Sequence, residues 1–95
     1  MKKVKTHKFN GVTYDIDLDP DCAGYCDHPK QKGNPCLFVG TPLNTKKGLQ
    51  DLLHEMLHAS RWLTPNDKVR QTADDMGDLL WRLDFRKRVK PRKKS

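Results

Sequence analysis

The chain has 95 residues, of which 35% are hydrophobic, and a formal net charge of +7. These values exclude a large multidomain protein and favour one small domain with a thin core, which a bound metal ion would help to stabilise. No apolar run approaches a membrane span, and none follows the basic residues 1–8, so we expect a soluble, cytoplasmic protein without a signal peptide. Three cysteines cannot all pair within one chain, which also fits a reducing compartment.

A β-hairpin is predicted near the start of the chain. Residues 6–9 and 12–18 flank Asn10-Gly11, a pair that suits a two-residue type I′ turn because both positions tolerate positive φ. Apolar and polar residues alternate along 12–18, which indicates a half-buried strand. Residues 19–35 form a predicted long loop, and 36–39 form a short apolar strand.

Two helices are predicted in the second half of the chain. The first is capped by Asn44 or Thr45 and runs to about Trp62, and the second runs from a cap at Thr64 to about Asp84. The predicted fold is therefore α+β, with a small antiparallel sheet, formed by the hairpin and the short strand, packed on both helices, and residues 1–85 forming the domain. The predicted apolar stripe of the second helix consists of Val69, Thr72, Ala73, Met76, Leu79, Leu80 and Leu83.

The first helix contains the sequence HExxH at residues 54–58, and Glu55 is the only glutamate in the chain. Because positions i and i+4 share one helix face, His54 and His58 can bind one metal ion. They lie about 120–160° from the centre of the apolar stripe, so we expect them in a cleft. Bound zinc would activate a water molecule, with Glu55 as general base. The motif predicts a zinc metallopeptidase; the competing interpretation is a chance run, since only three positions are specified.

A third metal ligand is expected, because catalytic zinc sites use three protein ligands and an open position. No second glutamate is available, and Asp75 is the preferred candidate because it lies on the flank of the second helix. The less favoured alternatives are Asp74, Asp67, His7, His28 and a cysteine. Unranked candidates for a second donor to the oxyanion are Tyr14, Tyr25 and Arg61.

A second, structural zinc is conceivable in the predicted loop. The four potential ligands are Cys22, Cys26, His28 and Cys36. The gap between the first two cysteines is longer than in the usual CxxC pair. We therefore favour buried thiols and a surface histidine at these positions.

The excess positive charge lies in the tail, residues 86–95. The other 12 basic residues balance the 12 acids, all of which precede the tail. We expect a disordered segment that contacts nucleic-acid phosphates without reading sequence, docks on an acidic partner, or only aids solubility. Its basic residues are Arg86, Lys87, Arg88, Lys90, Arg92, Lys93 and Lys94.

Several segments together resemble a known family. Residues 52–59, Val69, Ala73, Asp75 and 80–83 resemble small zincin-like metallopeptidases encoded by phages and prophages. The stretch Gly-Tyr-Cys-Asp-His-Pro at 24–29 is similar to the Gly-x-Cys-Asp-x-Pro loop of these proteins, which places Cys26 near the active site. With the strand at 36–39, the likeness covers most of the chain.

The resemblance implies a minimal zincin fold that binds one zinc ion through His54 and His58, with Glu55 as base. It also implies a protein or peptide substrate and, for a phage protein, the host-cell cytoplasm. Such relatives often carry a glutamate near the start of the second helix, where this chain has Asp67 and Arg70, so the third ligand stays open.

SprT-like and Spartan-type proteases are more distantly similar through the motif. Their third ligand is a downstream histidine, and no histidine follows His58 here. The alternative function, from another class, is a nucleic-acid-binding or phage assembly accessory protein with a structural zinc and no turnover.

Overall fold

A computed structural model describes residues 3–19, 24–30 and 33–86 of the chain. It confirms the predicted α+β class, with four strands in one sheet and two helices. None of the helices in these ranges is both long and apolar enough to cross a membrane. In chain order the elements are β1 (Thr6–Phe9), β2 (Val12–Asp17), β3 (Tyr25–Cys26), β4 (Cys36–Phe38), α1 (Lys46–Ser60) and α2 (Asn66–Arg82).

The predicted hairpin is present and has the predicted turn. Strands β1 and β2 pair antiparallel, with Phe9 opposite Val12. Asn10 has φ 49° and Gly11 has φ 83°, the pair of positive values that a type I′ turn requires. The turn residues therefore determine the register of this half of the sheet.

The sheet as a whole is mixed, so the prediction of a purely antiparallel sheet is wrong. Its strand order is β1-β2-β4-β3, in which β4 pairs parallel with β2 and antiparallel with β3. Strand β3 lies inside the segment predicted to be a loop. Two- and three-residue strands carry too few residues for a periodic pattern, and their order depends on long-range pairing.

Helix α1 packs across the sheet and completes the core. Tyr14, Leu37 and Val39 are essentially fully buried, and Ala59 from α1 joins their cluster. The Thr45 side chain accepts a hydrogen bond from the Gly48 backbone N–H at 3.0 Å, so Thr45 is the N-cap. This cap and the core contacts position the HExxH sequence in the C-terminal half of α1.

Helix α2 packs against α1 and makes no contact with the sheet in the parts of the chain that the structure describes, so the expectation that the sheet packs on both helices is wrong for α2. It begins after Pro65, without a side-chain cap, so the prediction of Thr64 as its cap is wrong. The predicted apolar stripe is confirmed at Val69 and Ala73, which are buried, but the third buried residue of α2 is Gly77, which the stripe does not include. The larger members Met76, Leu79 and Leu83 are 43%, 54% and 57% exposed.

Small residues explain which face of α2 meets α1. A Cβ atom on Gly77 would lie 2.5 Å from Cγ and 3.2 Å from Cα of Gln50, so only glycine permits this approach. The Gln50 side-chain amide also donates a hydrogen bond to the Asp74 carbonyl oxygen at 3.2 Å. These contacts set the register between the helices, which run antiparallel.

Candidate metal centre

The two histidines of the HExxH sequence converge on one point. Nε2 of His54 lies 3.0 Å from Nε2 of His58, and the ring centroids are 4.5 Å apart. Their i, i+4 spacing on α1 produces this convergence without help from any other element. His54 is only 6% exposed, since α2 packs beside α1, whereas His58 is half-buried.

The donor set fits a metal ion such as zinc. Two nitrogens bound at about 2.0–2.1 Å to one tetrahedral zinc lie roughly 3.3 Å apart, close to the observed 3.0 Å. One ligand atom from each of His54, Glu55 and His58 lies within 4.8 Å of the others. Among the residues that the structure describes, this is the one group of three histidine, cysteine or acidic side chains placed to hold an ion.

Glu55 is a buried carboxylic acid beside the two imidazoles. It is 7% exposed, and the backbone at Gly24 closes over it so tightly that a Cβ there would lie 2.6 Å from Oε2 of Glu55. Burial raises the pKa of Glu55 from 4.5 to about 7; Asp51 adds to the rise and Arg70 opposes it. A carboxyl group that titrates near neutrality suits proton transfer.

His54 is held in the form that binds metals. Burial lowers the pKa of its imidazole, and the neighbouring His58 and Arg70 lower it further, while Asp51 and Asp74 act in the opposite direction. A depressed pKa favours the neutral ring, whose nitrogen lone pair is available to a cation. Its Nδ1 atom is buried and has no hydrogen-bond partner within the described ranges, so packing rather than an outer hydrogen bond orients the ring.

Two residues of α2 reach the site although sequence reasoning did not select them. Oδ1 of Asn66 lies 3.0 Å from Nε2 of His58. Arg70, one turn further along α2, is close enough to influence the pKa of both His54 and Glu55. Asn66 and Arg70 share a helix face with Ala73, and this periodicity would have found them if Ala73 had been recognised as the packing centre.

The aspartates favoured as third ligand lie elsewhere on α2. Asp75 is exposed and lies about 160° around the helix from Ala73, on the side away from α1. Asp67 is exposed too, and with Asp74 and Asp75 it borders a shallow depression on α2. The structure does not bring Asp75 to the histidines, so its role as ligand stays a prediction that this geometry does not favour.

The remaining histidines lie outside the group. His28 is exposed, and its Nδ1 accepts a hydrogen bond from the Lys30 backbone N–H at 2.9 Å. Its ring packs edge-on against Trp62 at 4.8 Å, and Trp62 in turn lies 6.1 Å from His58. His7 lies on β1 and packs on Phe9.

Cys26 and Cys36 lie on opposite faces of the sheet. Cys26 is paired with Leu37, so the two share the buried face, whereas Cys36 precedes Leu37 and points the other way. These two thiols therefore do not converge on one ion, and Cys22 lies outside the described residues. Burial raises the pKa of the Cys26 thiol to about 12, with negative charge on Glu55 adding to the effect.

The other predicted functional residues are spread around the molecule. Tyr14 is a core residue whose hydroxyl donates to the Asp27 carbonyl oxygen at 3.4 Å, which makes it unsuitable as an oxyanion donor. Tyr25 and Arg61 are exposed. Of the basic tail only Arg86 is described; it packs on the Trp81 ring and pairs with Asp84 at 3.1 Å. The other basic tail residues lie outside the described ranges.

Comparisons with protein-family models, curated proteins and solved structures return no match to this chain. Its resemblance to phage-encoded zincin-like proteins therefore stays an expectation from the motif. Function has to be argued from the geometry of the site itself.

Proposed function

We propose that this protein is a zinc-dependent metallopeptidase-like hydrolase whose zinc ligands include His54 and His58 and whose general base is Glu55. The main support for this proposal is that the Nε2 atoms of His54 and His58 lie 3.0 Å apart beside the buried carboxyl group of Glu55. A structural pair of histidines would not need an acid next to it with a pKa raised to about 7. Such perturbed groups cluster at catalytic sites.

In this proposal the histidines, the glutamate and the Gly24 backbone have separate roles. His54 and His58 hold the ion through Nε2, and a zinc ion there supplies Lewis acidity towards water and a carbonyl group. Glu55 accepts a proton from the attacking water and returns it to the leaving amine. The Gly24 backbone excludes solvent on one side of the Glu55 carboxylate and keeps its pKa high.

Replacing Glu55 with glutamine tests this proposal. Glu55→Gln keeps the shape of the side chain and removes its ability to accept a proton. We expect kcat/KM on an unstructured fluorogenic protein substrate to fall by about 100-fold or more, as for loss of a general base, while zinc content and thermal stability stay unchanged. Asp75→Asn, which neutralises an exposed acid on α2, is the matched control and should leave the rate intact.

The outcomes separate catalysis from metal binding. Equal hydrolysis by wild type and Glu55→Gln would contradict Glu55 as base. Zinc that binds through the two histidines without any turnover of the substrate would instead support the accessory-protein alternative. In that case the ion would serve the structure of the α1–α2 unit.

A further inference from the structure

The proposed pair of histidines leaves the metal one protein ligand short of the usual three. Two other side-chain atoms nevertheless lie within hydrogen-bond distance of Nε2 of His58. Nε2 of His58 lies 3.0 Å from Nε2 of His54 and 3.0 Å from Oδ1 of Asn66. Asn66 is the first residue of α2, so it comes from a different element than the histidines.

We infer that Asn66 supplies the third protein ligand of the metal through its side-chain oxygen, giving a donor set of two imidazoles and one neutral amide. This inference rests on the proposed zinc site. It departs from the aspartate expected from the sequence. It also departs from the glutamate that similar proteins carry near this position.

The packing of the two helices explains why Asn66 reaches the site. Gln50 meets Gly77 and Asp74 at one end of the interface, and His58 meets Asn66 at the other. Because the two helices run antiparallel, residues later in α1 lie beside residues earlier in α2. The level of the histidines on α1 therefore corresponds to the first turn of α2.

The same register keeps the aspartates away. Asp74 and Asp75 follow Asn66 by eight and nine residues, which is about 12–14 Å along the helix axis. They lie at the level of Gln50, and Asp75 also points away from α1. Asp67 is at the right level but about 100° around the helix from Asn66, and its side chain is exposed.

Glu55 is the other possible third ligand, since it belongs to the same group of side chains. Its carboxylate, however, lies against Gly24, on the side of α1 that faces the chain before β3. Asn66 approaches from α2. The two groups can therefore act on the same ion in different roles, with Asn66 as ligand and Glu55 as base.

A neutral third ligand has a measurable consequence. Neutral carbonyl and amide oxygens are typical ligands of hard cations such as Ca²⁺ and Mn²⁺, and towards zinc an amide lacks the charge by which a carboxylate offsets that of the metal. The site should bind zinc more weakly than one with a carboxylate in the same place. Asn66→Asp, which changes the amide into a carboxylate of the same size, should therefore strengthen binding.

The test is the dissociation constant for zinc, measured by competition with a chromophoric chelator on the full-length protein. Relative to wild type we expect Asn66→Ala to bind about 10- to 100-fold more weakly, at least the loss seen when a supporting residue of a metal site is removed. Asn66→Asp should bind more tightly by about tenfold or more. Asp67→Ala and Asp75→Ala should stay within about twofold of wild type. Gln71→Glu adds the same charge on the side of α2 away from α1, and it should leave zinc affinity unchanged.

Each outcome bears on one proposal. Zinc that is lost in His58→Ala but unaffected by both Asn66 variants would overturn the role of Asn66 and leave the proposed histidine site standing. Weakening by Asp75→Ala would overturn it as well, in favour of the aspartate. A wild-type protein whose zinc is unaffected by His58→Ala, or that binds none, would contradict the proposed function itself.

Discussion

The chain contains two groups of potential zinc ligands, and the fold brings the members of one group together and separates those of the other. His54 and His58 lie one turn apart on α1, and their Nε2 atoms are 3.0 Å apart. Cys26 and Cys36 are neighbours on adjacent strands, yet they point to opposite sides of the sheet. Spacing on a helix brings ligands together by local geometry, whereas spacing across a loop depends on strand pairing.

The number of zinc ions bound per chain tests most directly whether the histidine group and the cysteine group differ in metal binding. Because the proposed histidine site does not involve the cysteines, we expect one zinc per chain in wild type and in Cys26→Ser/Cys36→Ser, and a loss of affinity of at least about 100-fold in His58→Ala. Elemental analysis after dialysis measures this directly. Two zinc ions in wild type that fall to one in His58→Ala would show that the cysteine group binds metal as well.

Gly24, the residue before β3, should matter for catalysis because of its close approach to Glu55. A Cβ at this position would lie 2.6 Å from Oε2 of Glu55 and displace the carboxylate. A displacement of about 1 Å at a catalytic group can cost up to roughly 100-fold in rate, so we expect Gly24→Ala to lower kcat/KM by about 10- to 100-fold. Zinc content should be unchanged, and a parallel loss of zinc would show that the loop supports the ligands themselves.

Docking of α2 should be sensitive to Gly77. Alanine has the better helix propensity by about 1 kcal/mol, but its Cβ would press on Gln50, and overpacking typically costs about 1–3 kcal/mol. We expect Gly77→Ala to lower the free energy of unfolding by up to about 2 kcal/mol in urea denaturation, which is the overpacking cost less the gain in helix propensity. Gln50→Ala in the same chain removes the closest atom and should restore part of the loss. Greater stability of Gly77→Ala alone would contradict the close approach.

Alkaline pH should reveal that Cys26 is a buried thiol. Its pKa is raised from 9.0 to about 12, first by burial and then by Glu55, with Asp27 and Cys36 adding and Tyr14 opposing. The folded state therefore holds the proton more tightly than the unfolded state, so this contribution to stability is constant below pH 9 and is lost as pH rises towards 12.

Urea denaturation at pH 8 and pH 10 measures that loss. Wild type should lose about 1 kcal/mol more than Cys26→Ala between the two values, and some dependence should persist because burial also raises the pKa of Tyr14 to about 12. A zinc-bound thiolate would already be ionised at neutral pH. Equal slopes for the two proteins would therefore reopen the case for Cys26 as a ligand.

Predictions from the sequence are wrong where a segment's structure depends on which other element it packs against. The predicted stripe of α2 follows hydrophobicity and includes Met76 and Leu79, which are exposed. The interface uses Ala73, which the stripe contains, and Gly77, which it omits, because small residues let the helix backbones approach. This rotation of α2 moved Asp75 away from the histidines and turned Asn66 towards them.

The sequence by itself determined the features that depend on a few neighbouring residues. These are the Asn10-Gly11 turn, the start of α1 at a cap at Asn44 or Thr45, of which the structure uses Thr45, and the convergence of His54 and His58. Only the tertiary structure decided that Gly24 covers Glu55, that Cys26 and Cys36 separate, and that Asn66 reaches His58. The physical reason is that local geometry follows from fixed backbone spacings, whereas strand order and helix register arise from packing between residues far apart in the chain.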